Sequence, residues 1–320
     1  MSDIAIIGAG AFGAALAVQA ARAGNQVWLW VRDPARAAAM AVSRKNPRLP
    51  GVSLAENIIV SSSMPTGMAA YLLAVPTQYL RTVVALLPPG ANTLVICAKG
   101  VETGTLRLPS EILAELRPSM TVAILTGPNF ALEIAAGLPA AAVVASTDRA
   151  LREAIASLLG TANFRLYGND DPVGAQVGGA AKNVIAIAAG AVIGAGLGEN
   201  ARAALITRGL AELSRLTVAL GGRAETVMGL SGLGDLLLTC TGQASRNFSL
   251  GFALGRGETL ADVLAARSAV TEGVATAPAL VARAAGVDLP ICAAVADLLT
   301  GRLTLVNAIT ALLTRPRRDE

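Results

Sequence analysis

The chain opens on a short apolar run, IAIIG (Ile4 to Gly8), followed by AFGAALAVQAARAG (Ala11 to Gly24), small and apolar with helical character, and then by QVWLWV (Gln26 to Val31). A β-type run, a helical stretch and a second β-type run make a βαβ unit. The alternation continues through NIIVSS (Asn57 to Ser62), YLLAVP (Tyr71 to Pro76), NTLVICAKG (Asn92 to Gly100), TVAILTGP (Thr121 to Pro128), AAAVVAS (Ala140 to Ser146) and FRLYGN (Phe164 to Asn169). Such alternation predicts a mainly parallel sheet covered by helices.

After Asp170-Asp171-Pro172, a turn or helix-start signal, the pattern changes to long Ala/Leu/Gly-rich helical stretches without convincing strands. The expected architecture is therefore α/β, with a Rossmann-like parallel-sheet domain over residues 1–171 and an all-α domain over 172–320. A ligand is expected between the two. The longest apolar run, Val184 to Gly198, falls short of the ~20 residues of a membrane span and reads as a buried helix. Asp3 stands where a secretory leader would carry positive charge, so a cytoplasmic protein without membrane insertion is expected.

Composition narrows the chemistry. Of 320 residues, 53% are hydrophobic and 15% charged, which argues for packed globular structure. There is no histidine, which excludes a His-based metal site and a Ser-His-Asp triad. Cys97, Cys240 and Cys292 are widely spaced and fit neither a disulfide framework nor a metal site. The net charge of +4 gathers into a basic cluster only at Arg315-Pro-Arg-Arg318, which has no interleaved aromatics and reads as a solvated tail, not a nucleic-acid patch. Only Lys45, Lys99 and Lys182 are lysine among 26 basic residues. Lysine can give up its proton and arginine effectively cannot, so these three invite a chemical reading.

Gly8-Ala-Gly10-Ala-Phe-Gly13 is a GxGxxG between a strand and a helix. The first glycine permits the tight turn, the second the approach of a pyrophosphate, and the third close packing of helix on strand. In that motif, a residue near the end of the second strand selects the dinucleotide. Here the strand ends in Val31-Arg32-Asp33: Arg32 at the deciding position suits the 2′-phosphate of NADP, Asp33 the ribose hydroxyls of NAD. The sequence leans to NADP and leaves NAD open.

Polar residues gather where strands are expected to end: Ala74-Val-Pro-Thr-Gln78, Ala98-Lys-Gly100 and Thr126-Gly-Pro-Asn-Phe130. Reducing a carbonyl by hydride requires a proton donor, and without histidine a lysine is the obvious one. Lys182 lies in the small, apolar stretch GGAAKNVIAIAAG (Gly178 to Gly190), where burial and a neighbouring cation, Lys99, would lower its pKa from about 10.4. Its small neighbours suggest a helix that approaches the nicotinamide closely. Ser245-Arg-Asn247 precedes an apolar helical run, so that Ser245 can cap a helix whose free N–H groups hold a phosphate together with Arg246. Asp235 is either a helix cap or a partner orienting Lys182 or a substrate hydroxyl.

Taken together, GAGAFG (Gly8 to Gly13), CAKG (Cys97 to Gly100), GPNFALE (Gly127 to Glu133), GGAAKN (Gly178 to Asn183), GLGDLLLTCT (Gly232 to Thr241), SRN (Ser245 to Asn247) and VTEG (Val270 to Gly273) resemble the bacterial NAD(P)-dependent glycerol-3-phosphate dehydrogenase family along nearly the whole chain. The resemblance implies reversible reduction of dihydroxyacetone phosphate to sn-glycerol 3-phosphate for phospholipid synthesis. It implies Lys182 as proton acceptor in the oxidation direction. Lys99, Gly127, Asn129, Asp235, Ser245, Arg246 and Asn247 would contact the substrate. Gly8, Gly10, Ala11, Phe12, Gly13, Arg32, Lys99, Ala131, Arg246, Val270 and Glu272 would line NADP or NAD. No metal is implied, and a homodimer is expected by analogy. Asn129 departs from a common serine or threonine, and Ala11 from a frequent serine. The rival readings are another lysine-dependent two-domain dehydrogenase, of the β-hydroxyacid or ketopantoate type, and a non-catalytic NADP-sensing regulator.

Overall fold

The computed structural model describes residues 2–267 and 270–314; the basic cluster at Arg315 to Arg318 lies outside them. The chain divides into two compact units, one formed by residues 1–99 and 108–176, the other by residues 100–107 and 177–320.

The first unit is built on an eight-stranded sheet: β1 (Asp3–Ile7), β2 (Gln26–Trp30), β3 (Ile58–Ser61), β4 (Ala70–Leu73), β5 (Thr93–Ile96), β6 (Thr121–Thr126), β7 (Ala140–Ala145) and β8 (Phe164–Asn169). Each arises from one of the apolar runs in the sequence. The spatial order is β3-β2-β1-β4-β5-β6-β7-β8. Every pair from β3 to β6 is parallel, β7 runs antiparallel to β6, and β8 is parallel to β7. The order reverses direction between β1 and β4, and such a switch point leaves a crevice at the carboxyl ends of the strands.

The connecting helices are α1 (Ala11–Arg22), α2 (Pro34–Ser43), α3 (Thr77–Ala85), α4 (Pro109–Leu116), α5 (Ala131–Ala136) and α6 (Arg149–Leu159). Ile4, Ile6, Leu29, Leu72 and Val95 from the sheet and Leu16 from α1 are buried in one core. Local chemistry fixes where helices start. Asp33 caps α2 by accepting from Arg36 N, with Pro34 following, and Asp148 caps α6 by accepting from Ala150 N and Leu151 N.

The second unit is helical, with no strand among its described residues. Helix α7 (Pro172–Gly194) enters from the first unit; the others are α8 (Gly198–Ala219), α9 (Ala224–Val227), α10 (Asp235–Cys240), α11 (Arg246–Gly255), α12 (Leu260–Ala265), α13 (Glu272–Arg283), α14 (Pro290–Leu299) and α15 (Leu305–Leu313). Asp171 starts α7 by accepting from Gly174 N at 2.8 Å, so the Asp-Pro signal is a true helix start. The apolar run from Val184 forms the later part of this 23-residue helix only as far as Gly194; Ala195, Gly196 and Leu197 lie in the connection to α8, which Gly198 opens. By length and composition α7 could cross a bilayer, but 83% of its apolar window is buried within the protein.

Helices α7 and α11 cross backbone to backbone. A Cβ at Gly251 would lie 1.8 Å from the Ile187 carbonyl oxygen, and one at Gly190 would lie 2.0 Å from that of Phe248. Gly194 and Gly255 repeat the arrangement one turn further on. Beside the crossing, Asn247 Nδ2 donates to Asn183 Oδ1 at 2.9 Å and Asn247 Oδ1 accepts from Gly273 N at 3.0 Å.

Candidate active site

In the first unit, the Gly8–Gly13 turn joins β1 to α1. Gly8 has φ +113°, and a Cβ at Gly13 would stand 1.9 Å from the Gly8 carbonyl oxygen, so neither position takes a side chain at this spacing. Gly10 is the N-cap of α1, with no side-chain cap and nothing within 4 Å of where its Cβ would be. Ala11 and Phe12 form the first turn of α1. An uncapped helix start with open space before it suits an anionic pyrophosphate, so the residues present fit a dinucleotide.

At the end of β2, Asp33 is occupied as the N-cap of α2, with Oδ1 accepting from Arg36 N at 2.9 Å. Arg32 is exposed, its guanidinium 5.6 Å from the centre of the Tyr79 ring.

After β5, Lys99 Nζ donates to the Gly127 carbonyl oxygen at 3.3 Å. Gly127 has φ +133°, and Asn129 Nδ2 donates to the Ala141 carbonyl oxygen at 3.1 Å. Asn129 Oδ1 is buried without a hydrogen-bond partner. An unsatisfied buried acceptor costs free energy until a donor reaches it. Ala131 is the first residue of α5. Lys99, Gly127, Asn129 and Ala131 thus gather around the carboxyl ends of β5 and β6.

In the second unit, Lys182 lies mid-helix on α7, 7% exposed, and its amine donates to the carboxylate of Asp235, 1% exposed. It also donates to Thr239 Oγ1 at 3.0 Å, and that hydroxyl donates to the Asp235 carbonyl oxygen at 2.6 Å. The neighbour that justifies the buried amine is a carboxylate, one of the two roles that the sequence leaves open for Asp235. Asp235 is the orienting partner of Lys182 and begins α10, directly after a π-helical turn over Leu230–Gly234. A Cβ at Gly178 would lie 2.4 Å from the Ser231 carbonyl oxygen. The space beside Gly178 admits this turn. That close approach lets Asp235 reach Lys182.

Ser245 caps α11 as expected, accepting from Phe248 N at 3.2 Å. Arg246 opens the helix, and its Nη1 donates to the Val270 carbonyl oxygen at 2.7 Å. Glu272 is the first residue of α13. Asn247 is buried with its amide committed to Asn183 and Gly273, which makes it a tie between helices. Thr239 is the residue that sequence reasoning missed. Its signal is the i, i+4 spacing from Asp235, which sets both on one helix face.

Cys97, Cys240 and Cys292 are free and buried. Burial pushes the Cys240 thiol up to about 12, although Lys182 pulls it the other way. Among the described residues no cluster of His, Cys, Asp and Glu could hold a metal.

Residues 3–152 match the N-terminal model of NAD-dependent glycerol-3-phosphate dehydrogenase, and residues 171–310 match the C-terminal model. The chain belongs to this family. It is 56% identical over 320 residues to a glycerol-3-phosphate dehydrogenase [NAD(P)+] of Acidiphilium cryptum, covering 99% of this chain and 98% of that one. It is 51% identical over 329 residues to the enzyme of the same description from Rhodospirillum rubrum, covering 100% of this chain and 94% of that one. The crystal structure of glycerol-3-phosphate dehydrogenase from Coxiella burnetii superposes with a TM-score of 0.93 at 35% identity, covering 98% of this chain and 99% of that one. The chain is thus an NAD(P)-dependent oxidoreductase by family. A ketopantoate reductase from Ralstonia eutropha, the type of one rival reading, gives a TM-score of 0.59 at 19% identity and shares the fold alone.

Proposed function

We propose that this protein catalyses the reversible, NAD(P)H-dependent reduction of dihydroxyacetone phosphate to sn-glycerol 3-phosphate. The observation that carries the assignment is the buried Lys182 amine, held by Asp235 and Thr239 on elements that the family motifs supply. When bound, the reduced nicotinamide supplies a hydride to the C2 carbonyl carbon. Lys182 donates a proton to the oxygen as the C=O double bond becomes C–O, so ketone, hydride and proton give the secondary alcohol. In the oxidation direction, neutral Lys182 accepts that proton. Asp235 balances the charge of the protonated amine, and Thr239 fixes its direction.

In this reading Lys99, Gly127 and Asn129 contact the substrate, with the unpartnered Asn129 Oδ1 available to a hydroxyl. Ser245 and Arg246, at the start of α11, hold the phosphate. The dinucleotide pyrophosphate lies at the start of α1, and Arg32 takes the 2′-phosphate of NADP. The engagement of Asp33 in capping α2 supports a preference for NADPH over NADH. Residues 1–171 act as the dinucleotide-binding domain and residues 172–320 as the substrate domain. The proposal includes a cytoplasmic homodimer serving phospholipid synthesis, as the family resemblance suggests; light scattering of the purified protein tests the dimer.

The deciding assay follows oxidation of NADPH with dihydroxyacetone phosphate, repeated with NADH. Turnover with both dinucleotides and a higher kcat/KM for NADPH is expected. Absence of turnover on dihydroxyacetone phosphate would overturn the assignment.

A further inference from the structure

The Gly8–Gly13 turn is held by two side chains that lie outside its glycine pattern. The Ala9 carbonyl oxygen accepts from Arg36 Nη2 at 2.6 Å and from Asn46 Nδ2 at 3.2 Å. The two donors are also joined, Arg36 Nη2 donating to Asn46 Oδ1 at 3.0 Å. Asn46 is 2% exposed and fixed on several sides. Its Oδ1 accepts from Arg48 N at 3.0 Å, its carbonyl accepts from Leu49 N at 2.9 Å, and the neighbouring Lys45 makes an antiparallel bridge to Ser53. Arg36 is anchored through its backbone N–H, which donates to the Asp33 cap.

In a trans peptide the C=O of one residue and the N–H of the next point in opposite directions. Holding the Ala9 carbonyl on Arg36 and Asn46 therefore aims the Gly10 N–H away from them, at the residue where the backbone faces open space. If the same peptide turned over, a partially negative oxygen would occupy the place where an anion must lie. Such a flip is sterically easiest beside glycine, so the motif that lets a pyrophosphate approach also leaves the peptide free to face the wrong way.

We propose that Arg36 and Asn46 are positioning residues for the dinucleotide, acting through the Ala9 carbonyl to hold the turn in its anion-accepting form. The proposal rests on the reading of this turn as the pyrophosphate site. Neither residue belongs to the family motifs that carry the functional assignment. Both line a cavity of about 650 Å³, together with Met40, Leu49 and Val52. Shortening Arg36 enlarges a space that already exists and leaves its backbone bond to Asp33 intact, so the variant is expected to fold.

The test measures the Kd for NADPH by fluorescence titration of the full chain, as wild type, Arg36→Ala, Arg36→Lys, Asn46→Ala and the double alanine variant. The kcat at saturating NADPH, the KM for dihydroxyacetone phosphate and the Tm are measured alongside. Each single alanine variant is expected to raise Kd about tenfold, the scale of one hydrogen bond to a charged or buried partner. With NADPH saturating, kcat and the substrate KM should stay within about twofold of wild type, because positioning of the cofactor turn is the only thing altered. Arg36→Lys should recover part of the loss, and the double variant should lose less than the two singles combined, since both act on one oxygen. An unchanged Kd in both single alanine variants overturns the proposal, as does a loss of kcat and Tm without a rise in Kd. Wild-type protein that fails to bind NADPH overturns the dinucleotide reading itself; wild type and variants that bind equally overturn only the role of Arg36 and Asn46.

Discussion

Lys182 and Asp235, 53 residues apart in sequence, form an ion pair buried in the helical unit, with side-chain exposures of 9% and 1%. A pair so placed is costly to break from one side, because the survivor becomes an uncompensated buried charge. Activity and stability therefore have to be separated at this pair. Lys182→Ala is expected to bind NADPH normally and lose about 10²-fold or more in kcat, the scale of general acid catalysis. The double variant Lys182→Met, Asp235→Asn should regain Tm relative to either single variant without regaining turnover. Near wild-type turnover in Lys182→Ala would remove the lysine from the mechanism.

Thr239 accepts from the Lys182 amine while donating to the Asp235 carbonyl. Thr239→Val keeps the shape and removes both bonds, so kcat should fall about tenfold and stability by about 1 to 2 kcal/mol. Thr239→Ser should stay close to wild type in both. Steady-state kinetics and urea unfolding of the two variants make the comparison.

Arg246→Ala should chiefly raise the KM for dihydroxyacetone phosphate, with a smaller effect on kcat. An unchanged KM would place the phosphate elsewhere.

Glu212 on α8 is 1% exposed and caps a distant helix, accepting from Ile291 N at 2.6 Å and Cys292 N at 3.1 Å at the start of α14. Burial pushes its carboxyl above the usual range, although the two backbone bonds pull it down. The folded state then holds this proton more tightly than the unfolded chain does. The contribution is fully present below the ordinary glutamate pKa and is lost as pH rises through the folded value. Glu212→Gln should flatten that fall in a series of urea denaturations across pH, and an unaltered slope would show that other groups set it.

Much of the fold is legible because its signals are local. The eight apolar runs give the eight strands, Asp171-Pro172 starts α7, and Ser245 caps α11, each through residues only a few positions apart. The direction of β7 is not legible, since an apolar run reads the same in a parallel or antiparallel pair. Asp33 shows the limit at the site. A carboxylate after a strand serves equally as a ribose partner or a helix cap, and only the position of Arg36 N decides. The glycines of GGAAKN carry a similar ambiguity: small residues announce a close approach without naming what approaches. At Gly178 it is the protein's own π turn.

The crossing of α7 and α11 has a consequence for variants. Gly251→Ala drives a methyl to 1.8 Å from the Ile187 carbonyl, and a loss of about 3 kcal/mol or more is expected in thermal unfolding.

Where Gly190 and Gly194 meet Gly251 and Gly255 no side chain separates those two helices, and nearer Lys182 and Arg246 only the hydrogen-bonded pair Asn183 and Asn247 lies between them. Their spacing works as a ruler cut from peptide units, graduated by carbonyl and Cα instead of by rotamers. Repacking elsewhere in the helical unit can change how firmly the ruler is held, but its length changes only if a glycine does.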